Sequence, residues 1–187
     1  MKKLFLSVFL ILVLAACVSN QYQLGGVTYQ TADAALYKMR SDSAARLANV
    51  QKSTNPIGGR AKIVVPNRTQ IERTSVTKQG AVSADLIKYI VDIIEIDYQN
   101  TIDGIKKSEL FDSVTEFKLN DTTNPSIEDY DYLIWMYGKN VKKNQWYVKT
   151  KRSEKQFPIH FDMGVQPDQR LKSMISSIEE AILKLGQ

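Results

Sequence analysis

One stripe of polar residues constrains this chain more than any other feature. Asp85, Lys88, Asp92, Glu95, Gln99, Asp103 and Lys106 recur at steps of three and four. Only a helix returns all such positions to one side. Ile87, Val91, Ile94, Tyr98, Ile102 and Ile105 form an apolar stripe on the same helix, widened by Leu86, Ile90 and Ile93. A strand competes locally, because Ile94, Ile96 and Tyr98 alternate with charges, and Asp97 is a misfit in the helix. The polar stripe persists over 22 residues, which decides for the helix. Ser83 is placed to cap it, with Asp85 in the first turn and Lys106 and Lys107 at the negative carboxyl end.

A long amphipathic helix needs a sheet or helices to cover its apolar stripe. Ala61-Lys-Ile-Val-Val-Pro66 is a β-branched run ended by proline, hence a strand. Residues 67–82 are polar and read as a loop. Leu110–Leu119 alternates, with Phe111, Thr115, Phe117 and Leu119 on one side and Asp112, Glu116 and Lys118 on the other. Tyr130–Tyr137 is apolar on both sides, as expected of a central strand, and its Leu133, Trp135 and Tyr137 side needs cover. Gln145–Arg152 continues a meander with Trp146 and Val148 inward, and Phe157, Ile159, Phe161 and Met163 alternate in a fourth strand. Pro167 and Asp168 open a last helix with Leu171, Met174, Ile175, Ile178, Ile182 and Leu185 buried, ended by Gly186. Before all of these, Thr31 caps an additional helix to about Gln51, and Ser53–Gly59 breaks it. The expected fold is α+β: a two-layer α/β sandwich. A mostly antiparallel sheet of about five strands would carry the long helix and the C-terminal helix on one face, with an extra N-terminal helix.

The first residues obey different rules. Lys2 and Lys3 are basic, Leu4–Leu14 is apolar apart from Ser7, and Ala15 and Ala16 are small. That is the layout of a secretory signal. The apolar stretch of 15 residues from Leu4 to Val18 is shorter than the ~20 a spanning helix needs. Leu14-Ala15-Ala16-Cys17 resembles the bacterial lipobox. That resemblance implies removal of residues 1–16 and acylation of Cys17 (palmitate among the chains). A tether over residues 17–30, with a first strand through Val27-Thr28-Tyr29 as the alternative, and a single periplasmic domain over 31–187 would follow. Several acyl chains anchor stably where one binds only marginally. Val18 and Ser19, with no aspartate after the cysteine, favour the outer membrane, facing the periplasm.

Composition excludes several classes. Cys17 is the only cysteine among 187 residues, so no internal disulfide and no second thiol exist. The formal charge of +5 falls to +3 without Lys2 and Lys3, which is too little to imply nucleic acid. Hydrophobic residues make up 43% of the chain, enough for a packed core rather than disorder.

A second resemblance covers residues 61–186. Ser108-Glu-Leu-Phe-Asp-Ser-Val114 is similar to the Ser-Gly-Leu-Phe-x-x-Val that closes a long helix, and Tyr130-Asp-Tyr-Leu-Ile134 to the Ala-Asp-Tyr-Val-Val that opens a central strand. Both occur in the α/β domain of the TolB amino terminus and of envelope lipoproteins such as LpoB and CsgG. Glu109 stands where that pattern has glycine. The motifs concern packing and transfer no functional residue. The resemblance implies a non-catalytic subunit that docks on an envelope machine.

The candidate sites are few. His160 is the only histidine, expected to face outward, and no Gly-x-Ser-x-Gly elbow accompanies it. Gly58-Gly59 precedes a strand, the wrong order for a phosphate loop, so it reads as a turn. Glu128, Asp129 and Asp131, with Asp121 nearby, lack calcium-loop spacing and read as a solvated acidic loop. Lys139, Lys142, Lys143, Lys149, Lys151, Arg152 and Lys155 concentrate basic charge in 17 residues. Tyr147, Lys149 and Lys151 share one side of their strand. This hairpin suits anionic lipid, lipopolysaccharide, wall polymer or an acidic partner; the same lysines equally discourage edge pairing. No metal, cofactor or nucleic acid is implied. The leading expectation is a lipid-anchored, non-enzymatic envelope accessory with a protein partner. A binding protein for a glycan or anionic small molecule is second, and a carboxylate-based hydrolase third.

Overall fold

The computed structural model describes residues 21–24, 26–79, 83–119, 125–126, 129–136, 146–151, 153–159 and 167–185. Along the chain these form β1 (Tyr22–Leu24), β2 (Val27–Tyr29), α1 (Ala32–Ala48), β3 (Arg60–Pro66), α2 (Arg68–Gln79) and α3 (Ala84–Lys107). Then come β4 (Ser113–Leu119), β5 (Tyr132–Trp135), β6 (Trp146–Thr150), β7 (Ser153–Ile159) and α4 (Pro167–Leu185). The fold is α+β. Among the described residues, no helix is long and apolar enough to cross a membrane.

The long helix forms as its stripe requires. The Ser83 hydroxyl accepts from the Leu86 amide, and α3 runs on to Lys107. It serves two cores. Ile102 and Ile105 enter the main one, between α3, α4 and the sheet. There they meet Ile63 and Val65 of β3, Ile134 of β5, Val148 of β6 and Ile178 of α4. The other flank of α3 offers Tyr89, Leu86, Ile93 and Ile96 to Ala35 and Leu36 of α1. Gly104 lets α4 approach: a Cβ there would lie 2.7 Å from both Leu171 methyls.

The sheet runs β4-β3-β5-β6-β7. It is mixed rather than mostly antiparallel. β3 pairs in parallel with both β4 and β5, while β5-β6 and β6-β7 are antiparallel. The expected meander is therefore only β5-β6-β7. β3 buries Ile63 and Val65 on one face and Val64 on the other, broken only by Lys62, and a strand so largely apolar takes an interior place, here between β4 and β5. Its parallel neighbours need crossovers longer than a hairpin turn.

Two expected irregular segments are ordered elements. Residues 67–82, read as a loop, contain α2. Asn67 and Gln70 form a reciprocal capping box: the Gln70 amide donates to Asn67 Oδ1 at 2.9 Å and the Asn67 amide to Gln70 Oε1 at 3.3 Å. Ile71 is buried, and Arg68 reaches Asp92 at 2.8 Å and Glu95 at 2.6 Å on α3. The polar stripe of α3 is thus not one continuous solvent face, since α2 covers part of it. Part of the expected tether is also structured. Tyr22–Leu24 and Val27–Tyr29 pair as an antiparallel hairpin. Tyr89 holds it, packing edge-on to Tyr22 at 4.9 Å and donating its hydroxyl to the Gln23 carbonyl at 3.0 Å. Tyr89 lies off the apolar stripe given by spacing, so the stripe alone does not reveal where the hairpin docks.

Candidate functional site

Strand alternation sends every second side chain to the sheet face opposite α3 and α4. Cross-strand register then sorts these side chains into two rows. Thr115, Lys62, Leu133, Lys149 and Gln156 are successive partners across β4-β3-β5-β6-β7. One pleat further, Phe117, Val64, Trp135, Tyr147 and Pro158 are successive partners in the same order. A row with two lysines thus runs beside a row with three aromatic rings, about 7 Å away along the strands. The side of the central strand expected to need cover, at Leu133 and Trp135, lies within it, and Leu133 is buried there; Tyr137 is outside the described residues.

The surface is built by its own contacts. Val64 is fully buried and Leu133 is 4% exposed, packed with Leu119, Phe117 and Trp135. The apolar floor is already filled, and the partly exposed side chains stand on it. Trp135 and Tyr147 stack with ring centroids 5.8 Å apart and planes 16° from parallel. Lys62 Nζ sits 3.9 Å from the Tyr130 ring centroid and 5.2 Å from that of Phe117, so the cation is held by ring faces. Hydrogen bonding to Lys62, then to Thr115, lowers the Tyr130 phenol pKa from its usual 10.0. Burial raises that of Tyr147. Among the described strand interiors no carboxylate shares these two rows. Asp131 lies at the β5 entrance, where its Oδ2 accepts from the Arg60 amide at 2.8 Å.

That entrance explains Gly58-Gly59. Both glycines have φ of +73°, and the Gly58 amide donates to the Leu110 carbonyl at 3.1 Å. The Gly59 amide donates to Asp112 Oδ2 at 2.6 Å. Asp112 and Asp131 therefore pin the starts of β4 and β5 to β3. The glycine pair is a turn, and its anion acceptors belong to the chain itself.

Of the residues named from sequence, Tyr147 and Lys149 lie in the rows. The Lys151 amide donates to the Asp131 carbonyl at 3.0 Å, at the strand's far end. Cys17, Lys139, Lys142, Lys143, Arg152, His160, Phe161, Met163, Asp121 and Glu128 lie outside the described residues. Lys62 and Phe117 join the site although they are far from the basic run in sequence, and Tyr130 and Trp135 lie just before that run. The one available signal was Lys62 interrupting an otherwise apolar strand.

A second concavity lies between α2, α3 and β4, a half-open cleft of about 300 Å³. Arg40, Arg68, Asp92, Glu95, Glu116 and Lys118 line it. The Arg68 guanidinium pKa is raised by its hydrogen bond to Asp92, with Glu95 assisting against desolvation. Arg68 pairs with Glu72, Asp92 and Glu95, and Lys118 lies 3.9 Å from Glu116, so most of these charges pair within the cleft and tie α2 to α3. Among the described residues no cluster of histidine, cysteine and carboxylates is arranged to hold a metal. Compared with protein-family models, curated proteins and solved structures, the chain matches none.

Proposed function

We propose that this protein is a lipid-anchored envelope lipoprotein, held by Cys17, that acts as a non-catalytic interaction module facing the periplasm. The observation that carries the reading is the preformed outer face of the sheet. Trp135 and Tyr147 are stacked and Lys62 is held over ring faces before any partner arrives, which reduces the side-chain entropy lost on binding. The basic and apolar start of the chain, closing on Leu14-Ala15-Ala16-Cys17, supports the address. The mechanism is confinement. A lipid holds the domain in a thin layer and raises its effective concentration toward other membrane-bound or wall-bound components.

Lysine-reactive crosslinking in intact cells tests this, with Cys17→Ala as control. The expected result is a specific envelope partner, lost when Cys17→Ala releases the protein from the membrane fraction. A Cys17→Ala protein that stays in the membrane fraction with unchanged processing refutes the anchor. A protein that crosslinks equally well without the anchor refutes confinement as the mechanism.

A further inference from the structure

We infer that the two-row face of the sheet binds a linear glycan whose sugars carry carboxylates. The inference rests on the envelope address proposed above and names the ligand class of the same surface.

Three observations select this ligand. The first is charge. Lys62 and Lys149 both partner Leu133 from opposite sides, in one row, with no acidic side chain in either described row. Such a face attracts an anionic ligand. The second is spacing. Lys62 and Lys149 are two strands apart, about 9.6 Å between backbones. That is close to the length of an extended disaccharide, so carboxylates on alternate sugars meet successive lysines. The third is the adjoining ring row. Aromatic faces carry negative charge density, and a pyranose presents C–H bonds on its flat sides. Trp135 and Tyr147, nearly parallel with centroids 5.8 Å apart, offer aromatic surface beside the lysines, on which a sugar can pack. The polymer lies across the strands, its sugar faces on Phe117, Trp135 and Tyr147 and its carboxylates toward Lys62 and Lys149. Thr115 and Gln156, exposed at the two ends of the lysine row, hydrogen-bond sugar hydroxyls.

The same observations disfavour a helical or peptide partner. Such partners anchor apolar side chains in pockets, and here Val64 and Leu133 already fill the floor. Rows in the middle of a sheet also offer no free main-chain edge for strand addition. Single-stranded nucleic acid uses similar stacking and charge, and the test separates it from a glycan.

The full lipid-anchored chain, purified in detergent, is titrated with polygalacturonate, with the fully methyl-esterified polymer, and with oligothymidylate. Binding is read from intrinsic fluorescence, to which Trp135 and Trp146 contribute. Polygalacturonate is expected to bind with an affinity that falls as salt rises, and the ester at least tenfold more weakly. Lys62→Gln with Lys149→Gln should abolish the difference between acid and ester. Tyr147→Ala should weaken binding tenfold or more, and Tyr147→Phe should restore it, since stacking needs only the ring. Equal binding of acid and ester by the wild type, or lysine and tyrosine variants that bind as the wild type does, overturns the inference. Tighter binding of oligothymidylate than of polygalacturonate also overturns it. Cell fractionation with Cys17→Ala reads the address separately: a soluble wild-type protein removes the address while leaving the titration intact.

Discussion

Glu109 is the one residue other than glycine with positive φ among the described residues, at +51°. It follows Ser108, the C-cap of α3, and its amide donates to the Lys106 carbonyl at 3.2 Å. This is the left-handed position that ends many helices, where glycine is preferred. An L-residue there costs about 1–2 kcal/mol, while glycine loses about 0.5–1 kcal/mol more chain entropy on folding. Glu109→Gly also removes the exposed Lys52–Glu109 ion pair, worth at most a few tenths of a kcal/mol. The balance favours glycine by about 0.5 kcal/mol against the wild type. Glu109→Ala loses the same ion pair but keeps the strain, so it isolates the backbone effect. The Glu109→Gly protein should therefore be more stable than the Glu109→Ala protein by about 1 kcal/mol. In urea unfolding, with a slope of about 2 kcal/mol/M for a domain of this size, the two midpoints should differ by about 0.5 M. Glu109→Asn should fall between them, since asparagine tolerates this conformation better than alanine. Equal midpoints for the glycine and alanine variants at equal slope would falsify the claim that backbone strain is stored at this turn.

Further outcomes follow from other contacts. Gly104→Ala gains about 1 kcal/mol of helix propensity but pushes a Cβ to 2.7 Å from the Leu171 methyls. Overpacking of about 1–3 kcal/mol should win, seen as a lower urea midpoint, and Gly104→Ala with Leu171→Ala should show positive coupling. Arg68→Leu leaves Asp92 and Glu95 without their α2 partner. Amide exchange in α2 should speed up at least tenfold, while the amides of β3 and β5 stay protected. In a spectrophotometric alkaline titration, Tyr130 should ionise before Tyr89 and Tyr147, and Tyr130→Phe should remove an early-titrating phenol, because Lys62 lowers its pKa while burial raises those of Tyr89 and Tyr147. A phenol whose folded pKa lies above its unfolded 10.0 stabilises the fold fully below that pH. That contribution is lost as pH rises through the folded value, so stability should fall from about pH 10 upward.

Much of the fold is legible in local patterns. The stripes of α3 and α4 and the caps at Thr31 and Ser83 are periodicities and pairings over three or four residues, where neighbours in sequence are neighbours in space. The inward Trp146 and Val148 follow from alternation alone. α2 is hidden because its helix signal is not an apolar stripe. It is the Asn67–Gln70 capping box, with one buried isoleucine and an arginine that pairs with Glu72 within the helix but also with Asp92 and Glu95, more than 20 residues away. The hairpin at 22–29 is hidden because its short strands are held chiefly by Tyr89, which the spacing argument leaves off the buried side.

The sequence by itself determined the α+β class, the long helix, the β-branched strand at Ala61–Pro66 and the layout of the first 17 residues. Each is a property of one segment. Tertiary structure decided the strand order and with it the site. β3 inserts between β4 and β5, where Ile63 and Val65 on one face and Val64 on the other are all buried. That insertion sets Lys62 in line with Lys149, and Phe117 in line with Trp135 and Tyr147, across gaps of up to 87 residues. Register between distant strands depends on the summed packing of both sheet faces, and no local pattern along the chain contains that sum.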